Sequence, residues 1–302
     1  MHASACRIWL QGPLNPSSSA GTSRESHLYQ ASSPSGTLSH HPTSHTNIMG
    51  LFPLFLSICP DRSMLFKMVR QLLYMSVKRI KTGIPGLDGL IEGGLVQGSV
   101  NMITGSAGTG KTIFGAQFIW NGLQKGETGV YISLEESPED IKEDMKIFGW
   151  DFEKYEKKGL CKIIYHDPAQ VNNLSTVMTE EISNVDANRL VIDSTSVFGL
   201  NIENPSQIRR RLFGLASALK KHTDTTAIII TEIPEDSKAL SRWGVEEFVV
   251  DSVLILNYLG IGEEYSRSLM IRKMRRTDHG KDIYPFEISN KGISLGTPKM
   301  NL

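Results

Sequence analysis

The 302-residue chain has few of the features that mark secreted or membrane proteins. Its three cysteines, Cys6, Cys59 and Cys161, match neither a metal-binding spacing nor a disulfide framework. The apolar run at residues 48–59 is far shorter than the ~20 residues that span a bilayer, Pro53 interrupts it, and it lacks the basic start of a signal peptide. We therefore expect no membrane segment and a reducing, cytoplasmic setting.

The chain also lacks an excess of charge of either sign. It contains 32 basic and 32 acidic residues. Five of the basic residues but only two of the acidic ones precede residue 75, so the remainder of the chain is slightly acidic. This balance argues against nonspecific binding of nucleic-acid backbones as the main function.

Patterned sequence is missing from the first 74 residues. Residues 15–46 are dominated by Ser, Thr, His, Pro and Gly, and such a segment cannot bury enough apolar surface to offset the entropy lost on folding. Two interpretations stay open, a disordered tail or a spurious extension. We prefer a natural start at Met75, because strand-like patterning begins abruptly at Ser76. The predicted domains are residues 1–74, disordered or spurious, and residues 75–302, a single folded domain.

A phosphate-binding loop is the clearest motif that the sequence contains. Residues 105–112 read Gly-Ser-Ala-Gly-Thr-Gly-Lys-Thr, between an apolar run and an amphipathic helical pattern. Glycines let backbone N–H groups approach the phosphates, and the positive end of the next helix points at them. Lys111 is expected to reach the β and γ phosphates, and Thr112 to coordinate Mg²⁺. The predicted nucleotide-binding residues here are Gly105, Ser106, Ala107, Gly108, Thr109, Gly110, Lys111, Thr112 and Ile113.

From Met75 onward, strand-like apolar runs alternate with helical patterns. A helix start is predicted at Ser137, and helical spacing at residues 208–219. Alternation of this kind predicts a mostly parallel sheet flanked by helices, and hence an α/β fold. After residue 248 consecutive strands follow, which predicts an antiparallel C-terminal extension on the sheet edge. The predicted strands cover residues 100–104, 129–134, 162–165, 190–192, 227–231, 249–259, 266–274 and 284–289.

Acidic residues follow two of these strands, at the sheet edge that carries the phosphate loop. Asp193 ends an aliphatic run and is expected to support Mg²⁺. Glu135 and Glu136 follow another strand, where a carboxylate can orient the water that attacks the γ-phosphoryl group and accept its proton. Successive strand residues point to opposite faces, so we expect only one of the two glutamates to face that water directly. Which of the two acts stays open.

The order of these motifs resembles the KaiC family of RecA-like ATPases. The similarity is carried, in chain order, by Thr82–Asp88, Gly93–Gly94, the phosphate loop, Glu135–Pro138, Phe148–Trp150, Arg242–Phe248, Lys273–Arg275, Thr277, His279 and Tyr284–Phe286. It covers roughly residues 77–296, and the set of motifs occurs a single time in the chain. The resemblance is therefore to the single-domain KaiC-like ATPases common in archaea. It implies a RecA-like phosphate-loop NTPase core that binds ATP and Mg²⁺.

The resemblance also implies a ring, usually hexameric, with ATP bound between subunits. Lys273 and Arg275 match positions that reach the γ-phosphate held by a neighbouring subunit, which would make hydrolysis depend on assembly. Without the resemblance, these cations would be interpreted as protective charges on an edge strand. Residues 231–232 resemble a γ-phosphate-sensing strand end. The implied catalytic residues are Lys111, Glu135, Glu136, Lys273 and Arg275. Further implied nucleotide-binding residues are Thr277, His279 and Ser289.

Three functions remain in competition. The first is an ATPase whose ring assembly and nucleotide state act as a switch for an unknown protein partner. The second is a recombinase-like accessory that binds single-stranded DNA through residues 209–211 and 220–221, but charges opposite an apolar helical stripe usually face solvent. The third is a serine/threonine (auto)kinase. In the autokinase half of the clock protein that names the family, an adjacent Ser and Thr accept phosphate where this chain has Glu247 and Phe248.

Overall fold

The computed structural model describes residues 77–200, 204–235, 237, 239–258 and 267–296. The predicted extension, residues 1–74, lies outside the described residues. Two short 3-10 helices accompany the regular elements, at Pro168–Asn173 and Thr195–Leu200. In chain order, the regular elements are β1 (Arg79–Ile80), α1 (Leu87–Leu90), β2 (Leu95–Val96), β3 (Val100–Gly105), α2 (Lys111–Leu123), β4 (Gly129–Ser133), α3 (Pro138–Lys146), α4 (Phe152–Glu156), β5 (Cys161–Tyr165), α5 (Leu174–Val185), β6 (Arg189–Asp193), α6 (Pro205–Leu219), β7 (Thr226–Glu232), α7 (Glu246–Val249), β8 (Ser252–Tyr258), β9 (Arg267–Met274), β10 (Ile283–Ser289) and β11 (Gly292–Leu295).

One large sheet organises the described residues. Its strand order is β11-β10-β9-β8-β3-β7-β6-β4-β5. The strands from β8 to β5 in this order run parallel, and β9, β10 and β11 extend one edge in antiparallel fashion. β1 and β2 pair separately as a short antiparallel ribbon. The predicted α/β class, with its parallel core and antiparallel C-terminal extension, is confirmed.

Helices cover both faces of the sheet because its central strands are apolar on both sides. In β7, Ile228 and Ile230 join the core cluster formed with α2, α3 and α4. Ile229 points to the other face and joins the cluster formed with α5 and α6. None of the helices in the described part of the chain has the length and hydropathy needed to cross a bilayer.

Three local details test the predicted elements. The helix start at Ser137 is confirmed, since its hydroxyl accepts a hydrogen bond from the backbone N–H of Asp140 at 3.2 Å. The strand predicted from residue 249 begins instead at Ser252, because the preceding residues form α7, whose Glu246 side chain accepts backbone N–H groups just before the helix. The ends predicted at residues 259 and 266 lie outside the described residues. β11 was not predicted, since four residues carry little pattern of their own.

A buried arginine ties the start of β6 to α2. The Arg189 Nε donates to Glu127 at 2.5 Å, and one Nη donates to the carbonyl oxygen of Phe118 at 2.6 Å. The guanidinium lies over the Phe118 ring, 4.5 Å from its centroid, while the second Nη has no hydrogen-bond partner among the described residues. Burial lowers the pKa of Arg189, and Glu127 opposes that shift. The cation is therefore stabilised mainly by a single carboxylate.

We expect Glu127→Ala to lower the free energy of unfolding by about 3 kcal/mol, because it leaves a buried guanidinium without its counter-charge. Chemical denaturation followed by circular dichroism measures the change. The control is Lys146→Ala, which removes a solvent-exposed ion pair with Glu153 at 2.9 Å and should leave the unfolding midpoint unchanged. Equal shifts for the two variants would contradict the role given to burial of Arg189.

Candidate nucleotide site

The phosphate loop connects β3 to α2 at the C-terminal edge of the parallel strands. Gly108 and Gly110 have φ angles of 71° and 94°, which favour glycine. A Cβ atom at Gly105 would lie 2.3 Å from the carbonyl oxygen of Leu256, so the backbone there admits no side chain. Gly110 caps α2 without any side-chain hydrogen bond, which leaves the first amides of this 13-residue helix available to an anion.

A cavity of about 580 Å³ opens in front of this loop. The sequence-predicted residues that line it are Ala107, Gly108, Gly110, Lys111, Thr112, Ile113, Glu135, Glu136 and Asp193. Its other lining residues are Ser133, Ser194, Glu232, Arg267 and Ile288. Gly105, Ser106 and Thr109 do not line the cavity; the Thr109 hydroxyl donates to the Ser106 carbonyl at 2.9 Å and holds the loop together.

Lys111 is held between backbone and carboxylate groups. Its Nζ donates to the carbonyl oxygen of Ser106 at 2.8 Å and lies 3.7 Å from Oε1 of Glu232. Burial lowers the pKa of Lys111, and the charges of Glu232, Asp193 and Glu135 oppose that shift. A nearly buried ammonium in this position can exchange its carboxylate partner for a phosphate.

Asp193 and Thr112 lie where the sequence predicts a metal. The Thr112 hydroxyl donates to Oδ2 of Asp193 at 2.8 Å, and the Tyr131 hydroxyl donates to the same oxygen at 2.7 Å. Burial raises the pKa of the Asp193 carboxyl, and the two hydroxyl donors counteract it. Burial, reinforced by Asp193, raises the pKa of Tyr131 well above its usual value, so Tyr131 stays a donor.

The oxygen atoms of this pair fit Mg²⁺, which prefers hydroxyl and carboxylate oxygens. No group of three or more His, Cys, Asp or Glu side chains able to hold a metal occurs among the residues that the structure describes. Mg²⁺ in phosphate-loop enzymes requires no such cage, because phosphate oxygens and waters complete its coordination. Thr112 and Asp193 can therefore hold Mg²⁺ that arrives with a nucleotide.

The two glutamates after β4 have different surroundings. Glu135 accepts a hydrogen bond from the Ser194 hydroxyl, which orients it. Burial raises the pKa of Glu136, and the negative charges of Asp193 and Asp144 add to this effect, so its carboxylate is a stronger base than an ordinary glutamate. β4 ends at Ser133, so strict strand alternation does not extend to these residues, and both line the cavity. The choice of general base stays open between them.

Arg267 joins the site although no motif in the sequence indicates it. Its Nη2 donates to the carbonyl oxygen of Gly108 at 3.3 Å, and its guanidinium lies 4.4 Å from the centroid of the Tyr258 ring. Its buried Nε has no hydrogen-bond partner among the described residues. Arg267 pairs with Tyr258 across β8 and β9, a long-range pairing that sequence spacing does not reveal. It provides a second cation beside the phosphate loop.

Lys273 and Arg275 lie near the N-terminal ends of the parallel strands, whereas the phosphate loop lies at their C-terminal ends. β9 runs antiparallel to β8, so its last residue, Met274, pairs with Ser252, which is level with Asn101. Gly105 lies four residues further along β3, about 13 Å at the rise of a parallel strand. The structure therefore does not bring these cations into the cavity of their own chain.

Thr277, His279 and Ser289 also lie outside the cavity. The Thr277 hydroxyl accepts a hydrogen bond from Arg79 at 3.0 Å, beside the β1–β2 ribbon. His279 Nδ1 lies 2.8 Å from the carbonyl oxygen of Gly280. Ser289 ends β10, and its hydroxyl accepts the backbone N–H of Lys291 at 3.2 Å. Of these three, only Ser289 adjoins a residue that lines the cavity.

The basic stretch considered for DNA binding lies on α6. The Arg209 guanidinium is 5.6 Å from the ring centroid of Phe248, and Arg210 and Arg211 line a separate cavity of about 340 Å³. The stretch does not adjoin the phosphate loop. We expect that, if single-stranded DNA binds here, its retention falls with salt and is lost when all three arginines become Ala.

A mostly parallel sheet with a Gly-Lys-Thr phosphate loop at its C-terminal edge, facing Asp193 and two glutamates, defines a nucleotide-binding domain of the phosphate-loop class. The chain belongs to the KaiC ATPase family, since the family described as "ATPase: KaiC" matches residues 80–300. This membership confirms the resemblance that the sequence motifs suggest, and it supports a nucleotide-binding ATPase.

Known proteins cover this domain to different extents. A UPF0273 protein of Pyrococcus furiosus is 37% identical over 241 residues, which is 74% of this chain and 96% of that protein. The circadian clock oscillator protein KaiC of Synechococcus elongatus is 37% identical over 234 residues, 74% of this chain and 45% of that protein. The solved KaiC-like protein of Pyrococcus horikoshii has a TM-score of 0.67 and 42% identity, covering 73% of this chain and 100% of that one. The chain therefore matches nearly the whole length of the archaeal proteins but less than half of the clock protein, as expected for one KaiC domain.

Proposed function

We propose that the protein is a Mg²⁺-dependent ATPase that assembles into a ring, in which Lys273 and Arg275 of one subunit complete the nucleotide site of the next. The single observation that carries the proposal is the sheet register. It separates these two cations from the cavity of their own chain, while the exposed Arg275 stays accessible to another molecule. Nucleotide-dependent assembly then acts as a switch for a protein partner.

The charge on the cavity wall supports completion by a neighbour. Four carboxylates line it, from Glu135, Glu136, Asp193 and Glu232, against the cations Lys111 and Arg267. A triphosphate adds further negative charge, and the transition state of phosphoryl transfer spreads charge over the γ-phosphoryl oxygens. Cations supplied from outside the chain would offset this charge and strengthen catalysis.

The residues of one chain can perform most of the remaining chemistry. The loop amides and Lys111 bind the phosphates, and Mg²⁺ held by Thr112 and Asp193 would supply a Lewis acid that neutralises them. Glu135 or Glu136 orients a water molecule and accepts its proton. The water oxygen bonds to the γ-phosphorus as the bond to the bridging oxygen breaks, which releases ADP and phosphate.

Autophosphorylation at the position where the clock protein has an adjacent Ser and Thr has less support. The corresponding slot holds Glu247 and Phe248, neither of which has a hydroxyl group, and the Phe248 side chain is exposed beside α6. After incubation with γ-labelled ATP, hydrolysis leaves the label in free phosphate, whereas kinase activity transfers it to protein.

Mass photometry with and without ATP and Mg²⁺ tests the proposal. We expect the 33.5-kDa chain to form a discrete closed assembly, most simply a hexamer, when both are present. Turnover per chain should rise with protein concentration over the same range, because single chains lack the neighbour's cations. Full turnover at concentrations where only single chains are detected would contradict the proposal.

A further inference from the structure

A buried glutamate lies between the nucleotide site and Lys273, the cation that the proposed function assigns to a neighbouring subunit. Glu246, the first residue of α7, is 1% exposed. Its carboxylate accepts hydrogen bonds from the Val245 N–H at 3.1 Å, the Thr231 hydroxyl at 3.2 Å and the Trp243 N–H at 3.3 Å. It shares the Ser241 hydroxyl, 2.7 Å away, with the carboxylate of Glu247. A buried carboxylate held by neutral donors keeps the surrounding segments in one arrangement.

One of these donors belongs to the nucleotide-facing end of β7. Thr231 directly precedes Glu232, whose carboxylate lines the cavity 3.7 Å from Nζ of Lys111. The Glu232 backbone N–H in turn donates to the Ser196 hydroxyl at 2.7 Å, just beyond β6. The Thr231 hydroxyl therefore links the strand end that faces the phosphates to the Glu246 carboxylate.

The other side of α7 holds Lys273. The Lys273 Nζ donates to the carbonyl oxygen of Glu247 at 3.0 Å and to that of Val250 at 2.6 Å. These two carbonyl groups belong to α7 and to the residue that follows it. A shift of α7 would therefore move the anchor points of the ammonium group.

We propose that Glu246 is a positioning residue for Lys273, because it anchors α7 to the nucleotide-facing end of β7; this rests on the proposed function, in which Lys273 acts on a neighbouring subunit. Glu246 itself touches neither the cavity nor the neighbour's nucleotide. The hydrogen bond from Thr231 is the link that connects the two sites of one chain.

Assemblies that mix two variant chains separate an effect on a chain's own nucleotide site from an effect on the site of its neighbour. A Lys111→Ala chain is a cation donor, which lacks its own site but presents Lys273 and Arg275. An Arg275→Ala chain is a site owner, which keeps its cavity but serves its neighbour poorly. Each chain alone should be nearly inactive, and the mixture should regain turnover at owner sites that lie next to donors. The variant under test, Thr231→Val, is then placed in either chain.

We expect Thr231→Val in the donor to lower kcat of the mixture about tenfold, with KM for ATP unchanged, because the lost hydrogen bond goes to a charged group. The same substitution in the owner should have little effect, because Thr231 does not line the cavity and its hydroxyl donates to Glu246, whereas its neighbour Glu232 faces the phosphates. Thr231→Ser in the donor should restore turnover. The control is Thr104→Val in the donor: Thr104 is buried, pairs with Thr231 on the adjacent strand and has a hydroxyl without a partner in the described part of the chain.

The outcomes distinguish the two proposals. An inactive mixture in which mass photometry shows donor and owner chains assembled together overturns both, because no cation then acts across subunits. An active mixture that is insensitive to Thr231→Val in the donor, or equally sensitive to it in the owner, overturns only the role of Glu246. If Thr231→Val loses its cooperative unfolding transition, Ser241→Ala replaces it, since it removes the hydroxyl that Glu246 shares with Glu247, the next residue of α7, and carries the same expectations.

Discussion

Replacing Lys111 with Ala is expected to lower ATP turnover by about 10²- to 10³-fold, or to abolish nucleotide binding. The nearly buried Lys111 ammonium is the cation that the phosphate loop itself provides, and it lies within reach of a ligand in the cavity. Without it, the carboxylates of Glu135, Asp193 and Glu232 would face the phosphates with less opposing charge. The expected loss corresponds to about 3–4 kcal/mol of transition-state stabilisation.

Binding of a fluorescent ATP analogue and release of phosphate measure the two parts of this effect. Lys125→Ala is the matched control, because Lys125 follows the same helix and its exposed ammonium donates to Asn121 at 2.8 Å. Its turnover should equal that of the unmodified protein. Turnover by Lys111→Ala within a few-fold of the unmodified protein would show that the phosphate loop is not the catalytic nucleotide site.

Arg275→Ala is expected to leave nucleotide binding largely intact and to lower turnover of the assembled protein by about 10²- to 10³-fold. The side chain is 54% exposed, and Asp251, its 3.6 Å partner, retains hydrogen bonds from the Val100 N–H and from Lys220. The fold should therefore tolerate the substitution. The loss of turnover arises because the transition state on a neighbouring subunit loses a cation.

Arg272→Ala controls for a change of charge on the same strand. Arg272 is exposed and directly precedes Lys273, at the irregularity in the pairing of β9 with β8. We expect its turnover to be unchanged. Steady-state hydrolysis at a protein concentration where mass photometry shows full assembly makes the comparison. Normal hydrolysis by assembled Arg275→Ala would refute the assignment of a cation acting across subunits.

Much of the fold was predictable because its signals are local. The apolar run before Gly105, the glycines of the loop and the Ser137 cap each depend on neighbours within a few residues, and strand alternation with helices indicated the parallel sheet. β11 was missed because it depends on pairing with β10, and α7 was missed because it is a single helical turn of four residues. The pairing of two strands leaves no pattern among the residues of either strand from which it could be predicted.

The candidate site divides in the same way. Sequence reasoning alone identified the phosphate loop, the acids after β4 and β6, and the family, because motif spacing and residue type determine how a triphosphate can be held. Only the tertiary structure decided that Arg267 joins this cavity while Lys273 and Arg275 do not. The physical reason is the antiparallel direction of β9, which brings its first residue to the phosphate-loop edge and its last to the opposite edge. Strand direction follows from the assembly of the sheet, not from the residues of one strand.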